Sequence, residues 1–151
     1  PGLVDFIKKE IYENIINDDA LNYLTEKINV FDVLVANDFI EHLTKEKIIK
    51  FLFLCYNSLR ANGCLILKTP NMCNLFASRN RYVDFTHEVG FTEHSLYEVC
   101  SASGFKNIKI LSEFHSSKEP DFYNDIRSIY LRNNEPIPEV LSTNLIGVCI
   151  K

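Results

Sequence analysis

The chain has 151 residues, of which 46% are hydrophobic and 24% are charged, with a formal net charge of −4. This length predicts a single domain over residues 1–151 with a sizeable buried core. The mildly acidic balance argues against a general nucleic-acid binder, because phosphate contacts need clustered lysine and arginine. No apolar run is long enough to span a bilayer, and no secretory signal peptide is visible, so we expect a cytoplasmic protein.

The cysteines are scattered, and no two of them form a C-x-x-C pair. Zinc sites typically use close-spaced pairs, and small secreted disulfide frameworks use even numbers of cysteines. We interpret them as small core residues in a reducing compartment and expect no metal site. They are Cys55, Cys64, Cys73, Cys100 and Cys149.

Helical and strand patterns alternate along the chain. The apolar spacing in Val4–Tyr12 predicts a helix, and Asn14–Asn17 is a short strand candidate. A one-turn helix carrying Leu21 and Leu24 is predicted next. Phe31–Ala36 is almost continuously apolar, which is typical of a strand buried on both faces of a parallel sheet.

Thr44 is a predicted N-cap, opening a helix from Lys45 to about Arg60. Its apolar residues follow the helical period, and Asn62-Gly63 is expected to end it. Cys64–Lys68 is the next predicted strand. The later predicted elements are a helix over Glu93–Ser103 capped by Thr92 and stopped by Gly104, a strand over Phe105–Leu111, a helix over Asp121–Leu131 and a strand over Leu145–Ile150.

Alternating apolar strands and helices predict an α/β sheet with right-handed crossovers. In such sheets, ligands bind beyond the carboxyl ends of the strands. Three polar groups fall at those predicted ends, which indicates a single ligand edge. They are Asp18-Asp19, then Asn37-Asp38 with Glu41-His42, then Thr69-Pro70-Asn71.

Two stretches resemble the class I S-adenosylmethionine-dependent methyltransferases, in particular those that modify small molecules and sugars. Phe31–Leu43 is an apolar strand followed by D-x-x-E-H, which stands here as Asp38–His42. Ser58–Asn71 is similar to the family's glycine-containing strand entry and polar strand exit. Asn17–Ala20 resembles the motif whose acidic residue reads the adenine ring. The resemblance covers about residues 14–111 and 143–151 and implies a Rossmann-like sheet.

The resemblance implies S-adenosylmethionine as cofactor and assigns roles at the ligand edge. Asp19 would accept a hydrogen bond from the adenine amine, and the backbone N–H of Ala20 would face a ring nitrogen. Asn37 and Asp38 would border the ribose and methionine end, with His42 at the mouth of the site. The alternatives stay open: the acidic residues could instead serve as helix-start groups, and a lone histidine is often structural.

The acceptor region is predicted at residues 79–88, which resemble a D-x-T-H segment of bacterial methyltransferases in sugar and lipopolysaccharide assembly. We predict His87 as general base, because a neutral imidazole can take a hydroxyl proton near pH 7. Arg79 and Arg81 could grip an acceptor phosphate or carboxylate. Tyr82 and Asn71 are further substrate-binding candidates. Alternatively, the Thr86-His87 pair holds the loop onto the fold and the arginines are solvated.

The glycine-rich loop of such enzymes is missing, since none of the five glycines forms a G-x-G. The resemblance implies that the first strand, this loop and the acidic ribose ligand lie upstream of Pro1. We therefore expect an amino-terminally truncated domain that binds S-adenosylmethionine weakly or not at all.

We predict methyl transfer to a small-molecule or sugar-type acceptor, with oxygen as the atom methylated. The alternative function is a non-catalytic module of degenerate methyltransferase fold that acts in binding or assembly. A nicotinamide dehydrogenase would share the sheet but does not explain D-x-x-E-H. No nucleic-acid partner and no membrane span are expected, while a homo-oligomer and a missing amino-terminal segment both stay open as partners.

Overall fold

A computed structural model describes residues 7–8, 13–74, 77–113, 119–133 and 142–151. Within them, helices alternate with strands, and a 3-10 turn at Ile40–His42 follows the first strand. In chain order the elements are α1 (Ala20–Thr25), β1 (Phe31–Asn37), α2 (Lys45–Ser58), β2 (Leu59–Pro70), α3 (Ala77–Tyr82), α4 (Glu93–Ala102), β3 (Asn107–Glu113), α5 (Glu119–Arg132) and β4 (Asn144–Ile150).

The four described strands form one sheet in the order β1-β2-β4-β3. β1 and β2 run parallel, and β4 lies antiparallel to both β2 and β3. This arrangement confirms the predicted α/β sheet. It also makes β1 an edge strand among the described residues, with one row of backbone groups left without a neighbouring strand.

One face of the sheet carries the hydrophobic core, where α2 packs against β2, and α4 packs against β3 and β4. Leu52 and Leu96 supply fully buried side chains from these two helices. Leu65 and Leu67 of β2 meet them from the sheet. The apolar faces predicted for these two helices therefore pack against the sheet, as expected.

Local capping chemistry sets the helix boundaries. The Thr44 hydroxyl accepts from the Lys47 amide at the start of α2. Thr92 and Ser95 form a reciprocal capping box at the start of α4. Gly104 follows α4 with φ at +108°, a conformation that glycine adopts without a Cβ penalty. These predicted caps and this stop are confirmed.

The end of α2 differs from the prediction, because the helix stops at Ser58 and β2 begins at once with Leu59. Leu59 is fully buried and pairs with Phe31, which fixes it in the sheet. The register then shifts before Val33 pairs with Cys64. Asn62 has φ at +64° within this irregular stretch, so the Asn-Gly signal marks a distortion of β2 and does not end a helix.

Asn14–Asn17 does not form a strand, and this prediction is wrong. These residues pair with no strand in the described parts of the chain, and Ile16 is 63% exposed. A short segment without a hydrogen-bonded neighbour has no ladder to stabilise it. The Val4–Tyr12 helix prediction lies outside the described residues except at positions 7–8, which are helical. The sequence pattern did not predict the short helix α3.

β1 is covered on one face alone, contrary to the prediction that both faces are buried. Val33 and Val35 are 54% and 67% exposed. Cross-strand register places Ile66 and Val148 on the same face as Val35. We call this surface, made by Val33, Val35, Ile66 and Val148, the open face; no described helix closes over the two valines.

The cysteines largely match their interpretation as core residues. Cys55, Cys100 and Cys149 are buried, while Cys64 and Cys73 are partly buried, and all five are free thiols. Burial raises the pKa of the Cys55 thiol to about 12, which keeps it protonated and unreactive. Among the described helices, none has both the length and the apolar character needed to cross a bilayer.

Candidate functional site

The carboxyl ends of β1 and β2 meet at one edge of the sheet. Asn37, the last residue of β1, pairs with Lys68, and the Asp38 amide donates to the Lys68 carbonyl at 3.0 Å. Asp38 then turns the chain with φ at +47°, a left-handed conformation that aspartate tolerates better than most residues. The turn directs the chain into the 3-10 segment that carries Glu41 and His42.

Asp19 caps α1 through a single carboxylate oxygen. Its Oδ1 accepts from the amides of Leu21 at 2.9 Å and Asn22 at 3.1 Å. The capping role that was left open in the sequence is therefore real. Oδ2 accepts no hydrogen bond from the residues that the structure describes, so the same carboxylate can cap the helix and still receive a donor from a ligand.

A cavity of about 400 Å³ lies between α1, β1 and α2 and brings two predicted cofactor residues together. Ala20 and Asn37 both line it, and most of its remaining wall is apolar or aromatic. An apolar and aromatic wall with a few polar groups suits a purine ring. The other lining residues are Tyr23, Leu24, Phe31, Leu34, Val35, Ala36, Phe39, Phe51, Cys55 and Leu65.

Lys68 gives the edge a cation that patterning had not singled out. Its Nζ lies 3.2 Å from Oε2 of Glu113 and 3.9 Å from Oδ2 of Asp38. The Asp38 side chain remains 51% exposed. It can therefore accept from ligand hydroxyls while Lys68 balances its charge.

Glu41 is a buried carboxylate, with 2% of its surface exposed. Oε2 accepts from the Thr69 hydroxyl at 3.1 Å, whereas Oε1 is buried and has no partner in the described chain. Burial raises the pKa of the Glu41 carboxyl above its ordinary value of 4.5, and hydrogen bonding from its own backbone amide and from the Thr69 hydroxyl partly opposes that rise. Glu41 belongs to the D-x-x-E-H motif, but we had predicted no role for it from the sequence.

The Glu41 backbone holds the predicted acceptor loop. Its carbonyl accepts from the amides of Glu88 at 2.7 Å and Val89 at 3.1 Å. Arg81 donates to the carbonyls of His87 and Glu88. The guanidinium of Arg81 thus stabilises the loop through its backbone carbonyls. This structural role of Arg81 could not be predicted from the sequence.

A hydrogen-bonded chain links Asp84, Thr86 and His42. The Asp84 Oδ1 atom accepts from the Thr86 amide at 2.8 Å and from its hydroxyl at 2.7 Å, and these bonds lower the pKa of Asp84. Because a hydroxyl has one proton, Thr86 Oγ1 must accept from Nδ1 of His42, which lies 2.8 Å away. A neutral His42 therefore carries its proton on Nδ1 and its lone pair on Nε2.

His87 has the same tautomer for a different reason. Its Nδ1 lies 3.0 Å from the Asn80 carbonyl oxygen, which can only accept, so Nδ1 carries the proton. The rings of His42 and His87 lie 4.7 Å apart between centroids. One ligand atom from each of Glu41, His42 and His87 lies within 4.8 Å of the others, so these three could hold a metal ion.

The other predicted acceptor residues are spread around this loop. Tyr82 is 78% exposed, and Arg79 is exposed on α3. Asn71 is fully buried: its amide donates to the Ser142 carbonyl at 2.9 Å and its oxygen accepts from the Cys73 amide at 2.9 Å. Asn71 therefore fastens the turn after β2, a role to which its side chain is fully committed.

Comparisons with known proteins show the fold. No family model and no curated protein matches the sequence. An S-adenosylmethionine-dependent methyltransferase from Archaeoglobus fulgidus is 22% identical with a TM-score of 0.72, and the match covers 97% of this chain and 72% of that one. A Thermotoga maritima methyltransferase is 13% identical with a TM-score of 0.64, over 90% and 63% of the two chains.

A phosphoethanolamine N-methyltransferase from Haemonchus contortus, solved with S-adenosyl-L-methionine, is 16% identical with a TM-score of 0.57. That match covers 88% of this chain and 36% of the enzyme. The chain thus spans less than two-thirds of the Thermotoga and Haemonchus proteins. These likenesses confirm the Rossmann-like methyltransferase fold expected from the motifs.

Proposed function

We propose that the protein acts in S-adenosylmethionine-dependent methyl transfer to a small-molecule or sugar-type acceptor, with oxygen as the atom methylated. One observation carries the proposal: Ala20 and Asn37 line one cavity that runs along β1, and Ala20 directly follows Asp19, whose Oδ2 accepts no hydrogen bond from the described residues. The motifs had assigned these three residues to one cofactor. Their arrangement on a methyltransferase fold supports that assignment.

The adenine end of the cofactor fits the residues present. Oδ2 of Asp19 would accept from the exocyclic amine, and the backbone of Ala20 would face the ring. The cavity wall would exclude water from the faces of the purine. Asn37 and Asp38 would border the ribose and methionine end, where Asp38 has an exposed carboxylate beside Lys68.

The bound cofactor supplies an electrophilic methyl group on a sulfonium. The protein's task is to position the acceptor and to take its proton, because the displacement is in line. Nε2 of His87 holds the lone pair that would accept the hydroxyl proton as the acceptor oxygen bonds to the methyl carbon. In that displacement the carbon–sulfur bond would break and its electron pair would stay on sulfur. His42 would stand at the mouth beside it.

Acceptor recognition is assigned to the exposed surface next to His87. Arg79 and Tyr82 are both exposed there, whereas Arg81 is occupied by loop carbonyls. Val83 and Phe85 are 72% and 102% exposed. An aromatic and apolar tip beside a cation suits an acceptor that has an apolar ring face and an anionic group.

We further propose that a strand and a glycine-rich loop upstream of Pro1 complete the cofactor site. The edge of β1 that has no neighbour among the described strands and the exposure of Val33 and Val35 support this, since an open strand edge with exposed valines is ordinarily covered. The chain as it stands lacks a G-x-G that could approach the cofactor closely. It would therefore bind S-adenosylmethionine weakly or not at all.

The open face also favours a second candidate function, a non-catalytic module that uses this fold to pair with another chain. The apolar surface of Val33 and Val35 would then be an assembly interface. Turnover separates the two candidates. In a chain bearing the complete fold, His87→Gln should lower kcat by about 100-fold or more, and His94→Gln, on the exposed side of α4, should leave it unchanged. Full turnover by His87→Gln would remove the general-base assignment.

A further inference from the structure

We infer that Glu41, His42 and His87 form a binding site for one divalent first-row transition-metal ion. One ligand atom from each residue lies within 4.8 Å of the others. Ligands bonded at about 2.0–2.2 Å to one tetrahedral zinc ion lie about 3.3–3.6 Å from one another, so closure needs side-chain movements of about 1 Å. Two imidazoles and a carboxylate are a donor set used for Zn²⁺ and for other ions of this series.

The partners of the two rings are those that metal-binding histidines require. Nδ1 of His42 donates to Thr86, whose hydroxyl is in turn held by Asp84, and Nδ1 of His87 donates to the Asn80 carbonyl. In metal sites the distant ring nitrogen donates in this way to a carbonyl or carboxylate-linked group, which fixes the tautomer and the ring orientation. Both rings are thereby left with Nε2 as the unprotonated nitrogen.

Glu41 provides an independent observation. Only 2% of the Glu41 surface is exposed, and its buried Oε1 atom has no hydrogen-bond partner in the described chain. A buried carboxylate oxygen without a partner is costly, because its desolvation is not compensated. A cation shared with the two imidazoles would compensate it. Thr69 already orients the carboxylate through Oε2.

The backbone makes the three ligands a rigid set. Glu41 and His42 are adjacent in the 3-10 turn, and the segment with His87 is fastened to the Glu41 carbonyl by the amides of Glu88 and Val89. Arg81 ties the same segment from the other side through the carbonyls of His87 and Glu88. Such a frame lowers the ordering cost of binding an ion.

Three protein ligands leave coordination positions open for water or for an acceptor oxygen. Nε2 of His87 would bind the ion. When the metal is bound, His87 would therefore be a metal ligand and could not act as the general base. If the proposed methyl transfer also holds, the ion would lower the pKa of a bound acceptor hydroxyl, and the proton would pass to solvent. Ion binding itself does not depend on that function.

The test uses the 151-residue chain without S-adenosylmethionine, so its outcome is separate from that of the cofactor proposal. Zn²⁺ is titrated by calorimetry and Co²⁺ by visible absorption. We expect one ion per chain and a Co²⁺ spectrum of nitrogen and oxygen ligands without a thiolate charge-transfer band. His42→Gln, His87→Gln and Glu41→Gln should each weaken binding by about tenfold or more, while His94→Gln should bind as the parent does.

Absence of saturable binding by the parent chain would overturn the inference, whatever the variants do. Binding that survives a combined His42→Gln and His87→Gln change would also overturn it, as would a thiolate band that assigns the ion to cysteine. Circular dichroism of each variant separates lost ligands from lost folding.

Discussion

Nδ1 of His42 lies 2.8 Å from Oγ1 of Thr86, which is 44 positions further along the chain. The contact joins the turn after β1 to the loop before α4 and sets the proton position on the imidazole. It gives the D-x-T-H segment two functions at once, since the same hydroxyl fastens the loop and leaves Nε2 of His42 with its lone pair.

Replacing Thr86 by valine should remove the hydrogen bond that fixes the tautomer of His42, while the side-chain size changes little. We expect nitrogen-15 spectra of His42 to change from a fixed Nδ1–H form to a mixture of tautomers, because the acceptor has gone. The free energy of unfolding should fall by about 1 kcal/mol or less, since the bond is exposed. Thr25→Val, which removes a hydroxyl on α1 that donates to the Leu21 carbonyl, is the control and should leave the His42 spectrum unaltered.

The raised pKa of Glu41 predicts a pH-dependent stability. The folded state holds the proton more tightly than the unfolded state, whose carboxyl titrates near 4.5. The contribution of this group to stability is therefore complete below about pH 4.5 and is lost as pH rises through the folded pKa. Urea unfolding of Glu41→Gln, measured without added metal, should show a shallower fall in unfolding free energy above pH 4.5 than the parent. Parallel curves for the two chains would contradict the shift.

Two substitutions of Asp19 should separate the contribution of its capping hydrogen bonds to stability from that of its negative charge. Asp19→Ala should lower the free energy of unfolding by about 1 kcal/mol, because the amides of Leu21 and Asn22 lose their acceptor. Asp19→Asn keeps a capping oxygen and should stay within about 0.5 kcal/mol of the parent. Denaturant titrations of both variants check this, and equal losses would show that the carboxylate charge, not the cap, stabilises α1.

The two faces of the sheet should respond differently to truncation. Leu65→Ala, at a fully buried position, should cost about 2–5 kcal/mol of unfolding free energy. Val35→Ala, at a position 67% exposed on the open face, should cost about 0.5 kcal/mol or less. Chemical denaturation of the isolated chain measures both. A large loss for Val35→Ala would mean that the open face is covered in solution.

What the sequence predicted well was local. Thr44 and Thr92 signal helix starts through bonds to residues three positions away, and the apolar period of α2 depends on the same short range. The exposure of Val35 could not be foreseen, because its apolar neighbours in sequence resemble those of a strand covered on both sides. The boundary between α2 and β2 was misplaced since Leu59 is fixed by its pairing with Phe31.

In the candidate site, too, the features set by local sequence were predicted and those set by long-range contacts were not. The motif located Asp38 and His42 because they follow a strand directly. The approach of His87 to Glu41 depends on backbone bonds between segments more than 40 residues apart, which no spacing in the sequence encodes. Arg81 was assigned to the acceptor for its charge, yet its bonds to loop carbonyls are visible only in three dimensions.

The most direct test of the proposed function is calorimetry with S-adenosylmethionine on two chains: the 151 residues alone, and the reading frame extended upstream through a first strand and glycine-rich loop. We expect weak or no binding to the first chain and micromolar binding to the second. Asp19→Ala should weaken the latter by about tenfold, through the loss of one charge-assisted hydrogen bond. No binding to the extended chain, or micromolar binding to the 151 residues alone, would contradict the proposal.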